Sequence, residues 1–213
     1  VICVYLTGRL NPGVGPHDVA LALVGATYAN GYVKNKVMEF VGPGVASLSA
    51  DCRNGIDCMT TETTCWSSIW QTDGVTEEYL AGHGRADAYK ELKPADVAYY
   101  DGCIELDLSK IECMIALPMH PSYAYPIREL KANAKDLLHE IETRANEQLS
   151  GKVKMDLVSK VRADGSIYVD QGIVAGCSGG TYENLCAVAD ILRGKSCGCL
   201  LYTSDAADEA RSV

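Results

Sequence analysis

The sequence predicts an α/β fold. Short apolar runs closed by glycine and proline alternate with helical runs, and an apolar run, a glycine-rich turn and a helical run succeed one another around residue 176. That last succession is the pattern of an α/β crossover. No internal repeat interrupts it.

Taken in order, Val1 to Leu6 is a strand ended by Thr7-Gly8, and Asn11-Pro12-Gly13 with Gly15-Pro16 makes the following loop. Val19 to Val24 suits a helix with Asp18 in its acidic first turn and Gly25 near its end. Val37 to Val41 is the next strand, closed by Gly42-Pro43-Gly44. Residues 54–68 predict a largely buried helix, although four threonines lower its propensity. Thr76 is expected to cap a helix running to Ala81, and Tyr99 to Leu108 alternates as a strand. Pro118, Pro121 and Pro126 remove backbone donors within nine residues and mark a domain junction. Beyond them come a polar helical stretch over 127–149, strand pieces at 167–169 and 173–175, and a helix over 182–193. The expected organisation is one domain over 1–125 and the start of another over 126–198. Residues 199–213 resemble a reading frame of a transposon sequencing adaptor and are set aside.

The composition, 47% hydrophobic and 22% charged, is that of a globular chain, and no apolar run reaches the length of a membrane span. A net charge of -9 leaves no basic stripe for phosphates, which argues against a nucleic-acid surface. The start lacks Met and a charged leader and reads as a cut. Ten cysteines without a C-x-x-C pair fit neither a zinc ribbon nor a thioredoxin motif; they are expected to be reduced, buried small hydrophobes of a cytoplasmic protein.

Two features carry possible chemistry. Gly176-Cys177-Ser178-Gly179-Gly180 sets a thiol on a tight turn, where small residues let backbone approach a bulky inorganic group. Locally, the pattern leaves open a structural cysteine, a phosphate-cradling loop or a metal ligand. In Cys58-Met59-Thr60-Thr61-Glu62-Thr63-Thr64-Cys65, positions 58, 62 and 65 would share one helix face, with Glu62 either solvated or held in a polar pocket. His17, His83, His120 and His139 are scattered, without metal-ligand spacing, and read as surface or turn residues. Gly13-Val14-Gly15 lacks the third glycine of a dinucleotide fingerprint.

Several segments in sequence order resemble the aconitase and isopropylmalate dehydratase large-subunit family. They are Leu6-Thr7-Gly8, Asp18-Val19, Glu39-Phe40-Val41-Gly42-Pro43-Gly44-Val45, Asp57-Cys58-Met59-Thr60-Thr61-Glu62, Gly84-Arg85-Ala86-Asp87, Tyr125-Pro126 and Gly176-Cys177. The resemblance covers residues 1–198 and implies aconitase-type α/β/α layers, present here as an incomplete fragment. It also implies a 4Fe-4S cluster on three cysteines, of which Cys177 is one; the other two, a later C-x-x-C, lie outside the chain. Glu62 matches the glutamate that hydrogen-bonds the water or hydroxyl on the open iron. Cys58 stands where the family has a companion asparagine, and Ser178-Gly179 replaces Thr-Asn; both departures point to a divergent hydratase branch. Cys197 and Cys199 have the wrong spacing to be the missing ligands.

The implied function is an iron–sulfur hydro-lyase, a hydratase or isomerase that dehydrates and rehydrates a small hydroxy carboxylic acid. Its partners would be that substrate and the missing N- and C-terminal portions of the same enzyme, with no nucleic acid and no membrane. The fragment alone is expected to be inactive. Two other classes stay open: a non-catalytic metal- or redox-binding protein using the clustered thiols Cys52, Cys58 and Cys65, and an RNA-binding aconitase relative.

Overall fold

The computed structural model describes residues 1–152 and 154–195; the adaptor-like stretch 199–213, with Cys197, lies outside them. The fold is mixed α/β around a four-stranded parallel sheet in the order β3-β2-β1-β4. The central strand β1 (Ile2–Thr7) pairs with β2 (Val37–Val41) on one side and β4 (Gly102–Asp107) on the other.

Alternation along these strands sends Ile2, Val4, Leu6, Met38 and Phe40 to one face, where each is fully buried. Two helices cover that face. In α1 (Pro16–Thr27), proline stands at the first helical position, and the Asp18 carboxylate accepts from the Gly15 N–H at 2.7 Å and the Met114 N–H at 2.6 Å. Gly25 lies near the end of the helix, as expected, and packs against Ala124, where a Cβ would sit 3.4 Å away. In α2 (Ala50–Thr60), Ser49 accepts from the Cys52 N–H at 3.0 Å. Val19 and Leu23 of α1, with Cys52 and Ile56 of α2, close the core over the sheet. Where β2 ends, Gly42 takes φ 102° and its missing side chain leaves room for the Leu6 carbonyl, 2.6 Å from where a Cβ would be. The opposite face is less covered, with Tyr5 41% and Ile69 46% exposed.

The helix expected over 54–68 is shorter than predicted. The Thr60 hydroxyl donates to the Asp57 carbonyl and the Thr63 hydroxyl to the Thr60 carbonyl, competing with the helical ladder. A 3-10 turn over Thr61–Thr63 comes next, Thr64 enters the left-handed region at φ 64°, and β3 (Ser67–Trp70) begins. Cys65 therefore leaves the face shared with Cys58 and packs beside the core.

The next helix, α3 (Gly74–Gly82), is capped by Asp73 and not by Thr76. A hairpin of β5 (Met114–Ala116) and β6 (Ala124–Pro126) then leads into α4 (Ile127–Ala132) and α5 (Ala134–Gln148), two helices where one was expected, parted at Asn133. Leu117, Leu130, Leu138 and Ile141 form a second, smaller core. Residues 173–175 are exposed and pair with no strand among the described residues, so the strand expected there is absent. A single helical turn α6 (Gly176–Gly179) and the helix α7 (Tyr182–Leu192) complete the described chain.

The expectation of buried cysteines fails for most of them. Among the eight described, all free thiols, only Cys3 and Cys52 are buried; Cys58 and Cys65 are half-buried, and Cys103, Cys113, Cys177 and Cys186 are exposed.

Candidate active site

The glycine–cysteine turn docks on α2. Gly176 bends the chain at φ 82°, and the next residues project three ways. Cys177 is exposed. Ser178 is buried and donates its hydroxyl to the Gly55 carbonyl of α2 at 2.8 Å. Gly179 lies beside the His17 ring, 3.6 Å from a would-be Cβ to Cε1.

Further hydrogen bonds hold the start of α7 in place after the turn. The Asn184 amide donates to the Ser178 carbonyl at 3.0 Å, the Glu183 N–H donates to Asp51 at 3.0 Å, and the Ser49 hydroxyl donates to Glu183 at 2.7 Å. An open cleft of about 380 Å³ beside the turn is lined by Pro16, His17, Asp18, Val174, Gly179 and Asn184.

This docking brings two of the sequence-predicted residues together. The Cys58 thiol on α2 points at the Cys177 carbonyl, 3.6 Å away. Burial, then the neighbouring Cys177, pushes the Cys58 thiol above its ordinary value. Glu62, four residues further on, lies in the 3-10 turn after α2 and is exposed, which decides between the solvated and pocketed readings of its carboxylate. The clustered thiols do not converge. Cys52 faces the core, Cys65 points to the Thr60 carbonyl at 3.3 Å, and only Cys58 turns to Cys177.

The exposed Cys177 thiol, between Gly176 and the buried Ser178 on a bent turn, has the access that one corner of a cluster site would need. A complete cage is not formed among the described residues, where no three His, Cys, Asp or Glu side chains gather to hold a metal.

Behind α2 lies an ion pair that sequence reading missed. The Arg53 guanidinium donates bidentately to Asp73, at 2.9 and 2.7 Å, and also to the Val45 carbonyl and the Thr76 hydroxyl. Burial works to raise the Asp73 carboxyl, but the Arg53 hydrogen bonds and the Thr76 amide outweigh it and hold it below its ordinary value. Arg53 is 5% exposed, so this pair fixes the α2–α3 junction beneath the site. Nothing in local periodicity announces a partner twenty residues away; an arginine on an apolar helix face was the available signal. Asp57, adjacent to Cys58, is likewise engaged, accepting from Ser68 and from the Trp70 indole.

Residues 1–201 match the Aconitase family (aconitate hydratase). The chain is 30% identical over 190 residues to the 2,3-dimethylmalate dehydratase large subunit of Eubacterium barkeri, covering 89% of this chain and 37% of that protein. It is 28% identical to the 3-isopropylmalate dehydratase large subunit of Clostridium kluyveri, covering 89% and 37%. It is 27% identical to the mitochondrial aconitate hydratase of Saccharomyces cerevisiae, covering 91% and 22%. The chain thus spans little more than a third of the dehydratase subunits it matches. A parallel α/β sheet, the Gly-Pro-Gly turn after β2 and the cysteine turn docked on α2 stand within that matched length, and the chain belongs to the aconitase family.

Proposed function

We propose that this chain is part of an iron–sulfur hydro-lyase that removes and returns water on a small hydroxy carboxylic acid, with Cys177 as one of three thiolates holding a 4Fe-4S cluster. The observation that carries the reading is the exposed Cys177 thiol held against α2, the helix whose continuation bears Glu62. When bound, the cluster's iron without a protein thiolate supplies a Lewis acid for the substrate hydroxyl.

The chain's own residues then have distinct tasks. Cys177 gives its thiolate as the anchor. Glu62, solvent-facing and without a salt-bridge partner among the described residues, is free to accept a hydrogen bond from the hydroxyl or water beside the anchor. Cys58, in place of the family's asparagine, offers only a weak S–H donor, so it orients that water less firmly than an amide would. The Ser178 hydroxyl holds the turn in register through Gly55.

The remaining cluster thiolates, the base and the groups that clamp the carboxylates are assigned to portions of the enzyme outside this chain, so residues 1–213 by themselves are expected to lack activity. Within the chain, a second apolar cluster around Leu138 and Ile141 supports a division into two units near 1–125 and 126–198, but it takes in Leu117 from before that boundary, and the β5–β6 hairpin straddles position 125. We assign the enzyme to the cytoplasm, with a small-acid substrate and no nucleic acid; the acidic balance supports the last point. Among the described residues, no helix is long and apolar enough to cross a membrane.

The test is anaerobic reconstitution of the full-length gene product with iron and sulfide. Cluster absorbance should disappear in Cys177→Ser. Equal iron and sulfide content in that variant would sink the assignment. Glu62→Gln should retain the cluster and lose most turnover.

A further inference from the structure

Cys58 and Cys177 come from elements 119 residues apart, and the docking of the turn on α2 makes them neighbours. Their register is fixed by a separate contact. Ser178, adjacent to Cys177, is pinned to Gly55, and Gly55 lies three residues before Cys58 on the same side of α2. The Cys58 sulfur lies 3.6 Å from the Cys177 backbone oxygen, which puts the two residues side by side, and Cys177 is open to solvent. Neither is in a disulfide.

We propose that Cys58 and Cys177 are a reversible dithiol–disulfide pair that closes when Cys177 carries no iron, taking the anchor thiol out of use until it is reduced. The oxidant is a peroxide. The Cys177 thiolate attacks one peroxide oxygen, breaking the O–O bond and leaving a sulfenic acid as the first water departs. The Cys58 sulfur then attacks the sulfenic sulfur, and the second water leaves with the Cys58 proton. The two sulfurs give up two electrons, which reduce the peroxide to two waters, and one S–S bond replaces two S–H bonds. A resolving thiol beside the exposed one stops oxidation at the disulfide, ahead of the irreversible sulfinic acid. That the bond gates cluster loading rests on the function proposed above; that it forms does not.

The experiment uses the unmodified 213-residue chain without iron, exposed to hydrogen peroxide and digested without reductant. The expected result is a loss of two hydrogen masses and a cross-linked peptide joining Cys58 to Cys177, reversed by a dithiol. Cys3 and Cys103, opposite each other on β1 and β4, serve as an internal comparison in the same digest. Cys58→Ser should instead give sulfinic acid at Cys177. Finding sulfinic acid on Cys177 of the unmodified chain, with no Cys58–Cys177 peptide, would overturn the pairing.

For the gate, oxidised full-length protein should take up iron and sulfide only after reduction, whereas Cys58→Ser, kept from peroxide, should load without that step. If the bond forms but the oxidised protein loads equally well, the gate is overturned. The Cys177→Ser reconstitution then says whether Cys177 is the anchor at all.

Discussion

The sheet with α1 and α2 and the segment from 173 to 192 are held by different forces. In the first, Ile2, Val4, Leu6, Phe40 and Ile56 are removed from water altogether, and Phe40 stacks on Trp70 with ring centroids 4.1 Å apart. In the second, α7 buries no residue, and Ile173, Tyr182 and Ile191 are 77%, 78% and 64% exposed. Its attachment comes from a few hydrogen bonds to α2 and to the cap of α2. Apolar burial is additive over a wide surface, whereas a docked turn depends on two or three directional contacts. The residue proposed to carry the chemistry thus belongs to the less firmly held part.

That contrast is open to attack from both sides. Phe40→Ala should cost about 3–5 kcal/mol of global stability, read as a shift in denaturant midpoint, because it empties the centre of the sheet–helix core. A loss under about 1 kcal/mol would erase the distinction between the two regions. Next in size is the Arg53–Asp73 pair, where Asp73→Asn should cost about 3 kcal/mol by leaving Arg53 buried beside a neutral partner.

The pair also has a pH signature. Because the folded Asp73 carboxyl lies below its unfolded value, its contribution is complete above the ordinary carboxylate range and is lost as pH falls through the folded value. Stability measured from neutral to acid pH should therefore fall more steeply in the native protein than in Asp73→Asn.

The smaller effects fall on the docked segment. Ser178→Ala should cost about 1 kcal/mol, felt as local opening. Backbone amide exchange in the docked segment should quicken about fivefold by the same free energy, with the global midpoint nearly unchanged. A shift in the midpoint as large as that of Phe40→Ala would mean that the two regions unfold as one. Glu183→Gln, which weakens one exposed contact to Ser49, should change either measurement by only a few tenths of a kcal/mol.

The sheet and its first helix were legible because their causes are local. The apolar run Val1 to Leu6 closed by Thr7-Gly8, an acid in the first turn at Asp18 and the Gly-Pro-Gly after β2 each act within a few residues. The helix end at Thr60 was misjudged because threonine hydroxyls that turn back onto carbonyls leave the same periodicity as a continuing helix. The strand expected at 173–175 failed because an apolar run needs a neighbour to pair with, and a run does not name one. Of the candidate site, the exposed turn carrying Cys177 was legible through its glycines and through the ordered family segments, its role as an anchor being a proposal. Its contact with Cys58, the Ser178–Gly55 bond and the Arg53–Asp73 pair were not, since each joins positions that only tertiary packing brings together.

At Gly55 three parts of the molecule meet, and toward α1 there is almost no clearance. A Cβ there would lie 2.9 Å from the Cβ of Pro16 and 3.6 Å from the Ser178 carbonyl oxygen. The spacing between α1 and α2 is thus closed to the width of a hydrogen atom, and a single methyl group would act as a shim between them. Fitted at that point, it would wedge α1 away from α2, the helix on which the turn is seated, while leaving Cys58, Glu62 and Cys177 chemically untouched, which separates the alignment of the site from its ingredients.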